Sequence, residues 1–198
     1  MDTGIGHMVA CTVLFVLYIE SNLCHTTNLP EEVCDHTMED RNAETQLHFV
    51  MFPLLAQGHI NPFLELSKAL ATHGHKVSFI STPVNISRIR PSLHVQEWPG
   101  QIDLLALPLP PTEGLTSGAE CMADIPPEMC AALCKAMDGM EKPFESLLGE
   151  LSPDYLIQDH HQYWTRTVAE EMHIPVIYFA ALSSAFCCHA FHPCKLWN

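Results

Sequence analysis

Positive charge is scarce in this chain: nine Lys and Arg stand against 23 Asp and Glu, a formal net charge of −14. Such a field repels phosphate backbones and anionic headgroups, which speaks against nucleic acid and against a membrane surface as partners. Phosphate-cradling loops are missing as well. Neither GxGxxG nor GxxxxGK[ST] follows the first strand, so no nucleotide can be placed on this domain by motif. The GxSxG elbow of serine hydrolases is absent too, and Ser183 and Ser184 sit outside any such turn. No apolar run approaches the roughly 20 residues that cross a bilayer. Internal repeats and low-complexity tracts do not occur.

What is present fits one α/β domain. At 198 residues and 47% hydrophobic content the chain can bury a sizeable core. Its nine cysteines are odd in number and fall mostly within helical or strand patterns, so buried thiols are expected rather than a disulfide framework. Residues 1–46 are set apart as a poorly ordered extension, and 47–198 as the folded domain. The apolar stretch 8–19 has the length of a signal-peptide core, but no Lys or Arg precedes it and no clear small-x-small site follows. A cytoplasmic location is therefore expected, with Met38 as an alternative start, since MEDRNAETQ leads directly into the first strand.

The segment QLHFVMFPLLAQGHINPFLELSKALATHGHKVSFI carries the most information. Residues 47–55 form a near-continuous apolar run, the pattern of a strand buried on both faces of a parallel sheet. Gln57-Gly58-His59 breaks it. Asn61 and Pro62 then supply an N-cap and a first-position proline, Phe63, Leu66 and Leu70 recur on one helical face, and Gly74 suits a left-handed cap. A second strand is expected over 76–81. This is one βαβ crossover of a doubly wound sheet, whose ligands bind at the carboxyl ends of the strands, and His59 lies at such an end.

Further along, a loop and short basic helix are expected over 83–91 around Arg88 and Arg90, and a third strand over 101–107, ended by Pro108, Pro110 and Pro111. Residues 108–125 lack a period and hold Gly114 and Gly118, as a long surface loop bordering a binding cleft would. Helices follow over 128–140 and from Pro143 to about Leu151. A strand over 155–158 ends in Asp159-His160-His161, a helix spans 163–172, and another strand spans 175–180.

His59 and Asp159 thus end two parallel strands on the same side of the sheet, where their side chains can converge. An imidazole titrates near neutrality and can take a proton from a hydroxyl, while a carboxylate on its other nitrogen fixes the tautomer and stabilises the imidazolium. The plainer alternatives are an exposed turn histidine and an aspartate that merely caps the next helix. Asp159, His160 and His161 also contain metal-ligand types, but adjacent residues at a strand end point to opposite sides and do not readily share an ion. The tail run CCHAFHPC matches no usual structural zinc spacing and reads as helix.

These segments carry a specific resemblance. LHFVMFPLLAQGHINPFLELSKAL, HGHKVSFISTPVNISRI, the LPLPP…GL…GAE loop and SPDYLIQDHHQYW resemble the N-terminal domain of plant UDP-dependent glycosyltransferases over about residues 47–193. The run MFPLLAQGHINPF with STPVNISRI is most similar to the branch that adds sugars to already glycosylated flavonoids or triterpenoids. The resemblance implies the N-terminal, Rossmann-like half of a GT-B fold, which holds the acceptor while a C-terminal domain holds the UDP-sugar. It implies an inverting transfer that needs no metal and no cofactor beyond the UDP-sugar co-substrate. His59 would be the catalytic base and Asp159 the residue that orients it, with Gln57, Gly58, His160, Trp164 and Ser183 binding substrate.

Two departures from the family pattern stand out. A hydroxyl residue commonly helps hold the donor sugar where this chain has Ala180, with Ser183 as a substitute. The family's donor-binding signature, a tryptophan-rich stretch ending in HCGWNS, is absent from these 198 residues. Because positioning both reactants supplies much of the rate in such transfers, the chain alone is expected to be inactive. The alternative reading is a truncated module that binds a flavonoid or terpenoid glycoside without catalysis.

Overall fold

The computed structural model describes residues 46–93, 98, 100–159, 162–179 and 181. The apolar stretch 8–19, His160, His161, Ala180, Ser183 and the CCHAFHPC run lie outside the described residues.

Five strands, β1 (His48–Phe52), β2 (Lys76–Ser81), β3 (Ile102–Ala106), β4 (Tyr155–Gln158) and β5 (Val176–Tyr178), form one sheet in the order β3-β2-β1-β4-β5. All four pairings are parallel. The helices are α1 (Gln57–Thr72), α2 (Pro83–Ile89), α3 (Cys130–Asp138), α4 (Glu141–Leu151) and α5 (Tyr163–Glu171).

The continuous apolar run of β1 has a direct cause, since successive side chains enter opposite cores. Phe49 and Met51 join Val77, Phe79 and Ile157 against Ile60, Phe63, Leu66 and Leu70 of α1 and Ile86 and Ile89 of α2. Val50 and Phe52 join Ile80 and Leu156 against Leu133 and Met137 of α3, Phe144 and Leu148 of α4, and Trp164 and Val168 of α5. Full burial of one such aromatic contributes about 1.5–3 kcal/mol. Exposed ion pairs such as Arg166 with Glu170 contribute about 0–1 kcal/mol, so these two cores rather than surface charge hold the fold.

Strand order places β2 and β3 on one side of β1 and β4 and β5 on the other. The direction of winding therefore reverses between β1 and β4, and in such sheets the crevice beyond the carboxyl ends at that point is where ligands bind.

Several boundaries differ from the sequence expectation. β1 stops at Phe52, because Pro53 has no N–H to continue the ladder. α1 begins at Gln57 with Ala56 as its N-cap, so Asn61 and Pro62 lie inside the helix rather than opening it. The Ala56 carbonyl accepts from the N–H groups of both His59 and Ile60, each at 2.9 Å, and starts the helix early. Pro62 then has no N–H for the Gly58 carbonyl, a cost the sequence rule avoids and the tertiary contacts of this turn offset. α4 begins two residues before Pro143, which sits in the first turn where a missing N–H costs nothing. The helix expected over 128–140 divides into a 3₁₀ turn, Pro127–Met129, and α3.

Gly74 performs the expected capping at φ +84°, with its N–H on the Ala71 carbonyl and the His75 N–H on the Leu70 carbonyl. The same motif ends α5, where the left-handed residue is His173 at φ +58°.

Candidate active site

The reversal point is built around the connection from β1 to α1. Phe52 pairs with Gln158, so Pro53 and Asp159 leave the sheet side by side. Asp159 is fully buried. Its Oδ2 accepts from the Leu54 N–H at 3.0 Å and lies 2.8 Å from His59 Nδ1. The early start of α1 is what brings His59 here, as the third residue of the helix rather than part of a preceding loop.

A carboxylate can only accept, so Nδ1 carries the proton of this hydrogen bond and Nε2 is the basic nitrogen. The His59 side chain is 14% exposed, while Asp159 shows no exposure. This is the arrangement expected of an imidazole that exchanges a proton at Nε2 while a shielded carboxylate holds its tautomer.

The connection itself is fully tied. The Pro53 carbonyl accepts from Gln162 Nε2 at 3.1 Å, the Leu54 carbonyl accepts from Ala56 N–H at 2.7 Å, and the Leu55 carbonyl accepts from Met122 N–H at 2.8 Å. Met122 belongs to the end of the long loop, which is therefore pinned against the turn leading to His59. Glu120 Oε2 accepts from the Val84 N–H at 2.8 Å in the first turn of α2, and Asn85 Nδ2 donates to the Glu120 carbonyl at 2.8 Å. Arg88 pairs with Asp124 at 2.6 Å, and the hydrogen bond to that carboxylate, with its negative charge, raises the guanidinium's affinity for its proton above the ordinary value.

The remaining expected site residues are placed differently. Gln57 and Gly58 are exposed in the first turn of α1, and a Cβ on Gly58 would meet nothing within 4 Å. No steric need for glycine is visible there. Trp164 belongs to the core: it is 5% exposed and its ring lies 6.0 Å from that of Phe52 and 5.4 Å from that of Phe144. His160 and Ser183 lie outside the described residues. Among the described residues no group of three or more His, Cys, Asp and Glu is gathered as a metal site would require.

A cavity of about 370 Å³ lined by Arg90, Leu93, Trp98 and residues Ile102 to Leu105 runs along the edge strand β3, and neither His59 nor Asp159 lines it.

Sequence reasoning missed Gln162 and Glu120. Gln162 is the N-cap residue of α5 yet makes no capping bond with its side chain. Glutamine is a poor capping residue, and its presence at that position is the signal that its amide is used elsewhere.

Comparison with known proteins agrees with this architecture. Residues 45–191 match the family described as "Glycosyltransferase, N-terminal domain". The chain is 40% identical over 151 residues to UDP-glycosyltransferase 91C1 of Arabidopsis thaliana, covering 76% of this chain and 32% of that protein. It is 36% identical over 151 residues to an anthocyanidin-3-O-glucoside rhamnosyltransferase of Petunia hybrida, covering 75% and 31%. Among solved structures, UGT73P12 of Glycyrrhiza uralensis, complexed with glycyrrhetinic acid 3-O-monoglucuronide, superposes with a TM-score of 0.67 at 25% identity, covering 78% of this chain and 33% of that one. The chain spans about a third of the length of these proteins.

Proposed function

Since the chain belongs to the UDP-glycosyltransferase family and carries its N-terminal domain, we propose that this domain holds a small plant metabolite, or a glycoside of one, and presents its hydroxyl for transfer of a hexosyl group from a UDP-sugar. The observation that carries the reading is the hydrogen bond of His59 Nδ1 to the buried Asp159 at the point where the sheet reverses its winding.

In this reading the hydroxyl proton passes to His59 Nε2 as the oxygen forms its bond to the anomeric carbon. The bond from that carbon to the UDP oxygen breaks on the opposite face, and UDP leaves with the electron pair. The anomeric configuration inverts. Asp159 stays ionised, keeps Nδ1 protonated and stabilises the imidazolium; such proton transfer contributes about 10²–10⁴-fold to a rate. His59 is the catalytic residue and Asp159 the residue that positions it.

The acceptor class is supported by relatives. The Petunia protein is named for an anthocyanidin glucoside and the Glycyrrhiza protein is seen with a triterpenoid glucuronide, both of them glycosides. The pinned loop that ends at Met122 supplies one wall beside the turn to His59. The reading includes a cytoplasmic setting, where UDP-sugars and such acceptors meet.

The test is transfer from UDP-glucose and UDP-rhamnose to a panel of flavonoid and triterpenoid glycosides. It uses the chain alone and the chain joined to the donor-binding half of the Arabidopsis relative. Transfer by the joined protein that is lost in His59→Ala supports the reading. Saturable glycoside binding without transfer in either form favours a binding module, and neither binding nor transfer overturns the assignment.

A further inference from the structure

The structure assigns Gln162 as a positioning residue for the His59–Asp159 pair: its side-chain amide and the Asp159 carboxylate grip opposite ends of one peptide group, the unit joining Pro53 to Leu54. This rests on the proposed role of the pair but can be tested without turnover.

The Pro53 carbonyl and the Leu54 N–H belong to the same planar unit and point in opposite directions. Gln162 Nε2 donates to the carbonyl at 3.1 Å, and Asp159 Oδ2 accepts from the N–H at 3.0 Å. Rotation of this peptide would carry the N–H away from Asp159, whose Oδ2 also receives His59 Nδ1 at 2.8 Å. The oxygen that orients the imidazole is therefore held in place by the N–H, the N–H by the peptide plane, and the plane by Gln162.

Gln162 is itself rigidly seated. It is 2% exposed, and its carbonyl accepts from Thr165 Oγ1 at 2.6 Å in the first turn of α5. The orientation of its amide is decided by its partner, since a carbonyl can only accept and must face the NH₂ group. Its Oε1 is buried with no hydrogen-bond partner among the described residues. A buried acceptor left unpaired costs stability, so an apolar side chain of the same length would suit the core at least as well. Glutamine is the poorer choice for packing and the better one for holding this peptide.

The experiment uses the chain with ¹⁵N-labelled histidine side chains. It follows the His59 Nδ1 proton by NMR, assigned by its loss in His59→Gln. Gln162→Met keeps the length and removes the donor; Gln162→Glu keeps the shape and places a carboxylate against the Pro53 carbonyl. Val168→Ala loosens the same helix without touching the peptide and serves as the control for general destabilisation. The expected result is a downfield, slowly exchanging Nδ1 proton in the parent and in Val168→Ala. In either Gln162 variant it shifts upfield and exchanges roughly tenfold or more faster. If one Gln162 variant fails to fold, the other decides. Exchange within about twofold of the parent in the folded variants, or equal acceleration in Val168→Ala, overturns the assignment. If the resonance moves as expected while the joined protein transfers no sugar, Gln162 positions the pair and the proposed reaction is what fails.

Discussion

His59 and Asp159 stand 100 positions apart in the chain and 2.8 Å apart in space, at the ends of neighbouring elements where the sheet reverses its winding. One carboxylate oxygen serves both the imidazole and the Leu54 N–H, so the geometry of the pair and the stability of the turn are linked in a single atom.

That link separates two substitutions at Asp159. Asp159→Asn retains an acceptor for the Leu54 N–H but no negative charge for an imidazolium. Transfer by the joined protein is expected to fall by about 10²–10⁴-fold, with a small change in melting temperature. Asp159→Ala also leaves the buried Leu54 N–H unpaired, and urea unfolding should show a loss of about 1–3 kcal/mol. Equal stability of the two variants would contradict the shared-oxygen arrangement.

His48 gives the fold a pH dependence of its own. Its Nε2 lies 2.9 Å from Ser78 Oγ. Burial, followed by the charge of Lys76, lowers its affinity for a proton below the ordinary histidine value of 6.5. The unfolded chain therefore binds this proton more readily than the native one. The contribution is fully present above pH 6.5 and is lost as pH falls from there toward the lowered native value. Melting temperature should drop more steeply between pH 7.5 and 5.5 in the parent than in His48→Gln, a range set around the ordinary histidine value. Parallel curves would show that His48 is not the source.

His173 occupies the left-handed position of a helix cap that Gly74 fills at the end of α1. A side chain pays for that conformation and glycine does not, although glycine adds entropy to the unfolded chain. His173→Gly should gain up to about 1 kcal/mol, which is about 2–4 °C in melting temperature for a chain of this size. Lower stability would mean that the imidazole makes a compensating contact.

Phe144 tests which core carries the fold. It is fully buried, with its ring stacked on Phe52 at 5.0 Å and edge-on to Trp164 at 5.4 Å. Phe144→Ala is expected to cost about 3–5 kcal/mol in urea unfolding. A loss below about 1 kcal/mol would indicate that α4 collapses onto the sheet and fills the space.

The sequence by itself determined the elements whose signals are local. The apolar run at 47–55 announced a strand buried on both faces, which the structure confines to His48–Phe52, because each side chain of β1 enters one of two cores. Gly74 marked its helix end, because only glycine adopts φ +84° without steric cost. The meeting of His59 and Asp159 at the carboxyl edge of the sheet was legible too, since parallel strands bring their carboxyl ends to one edge, although His59 stands in the first turn of α1 rather than at the end of β1. Tertiary structure decided the rest. Asn61-Pro62 reads as a helix start by local rules, yet α1 begins at Gln57, because the Ala56 carbonyl is presented to two N–H groups by a turn that Asp159, Gln162 and Met122 hold from distant parts of the chain. Trp164 is a substrate-binding residue under the family resemblance, but it shares a face of α5 with Val168, four residues on, and that face carries its ring into the core beside Phe144. No local pattern records that one peptide group is held from both ends by residues more than a hundred positions away, because that relationship exists only once β1 and β4 are paired.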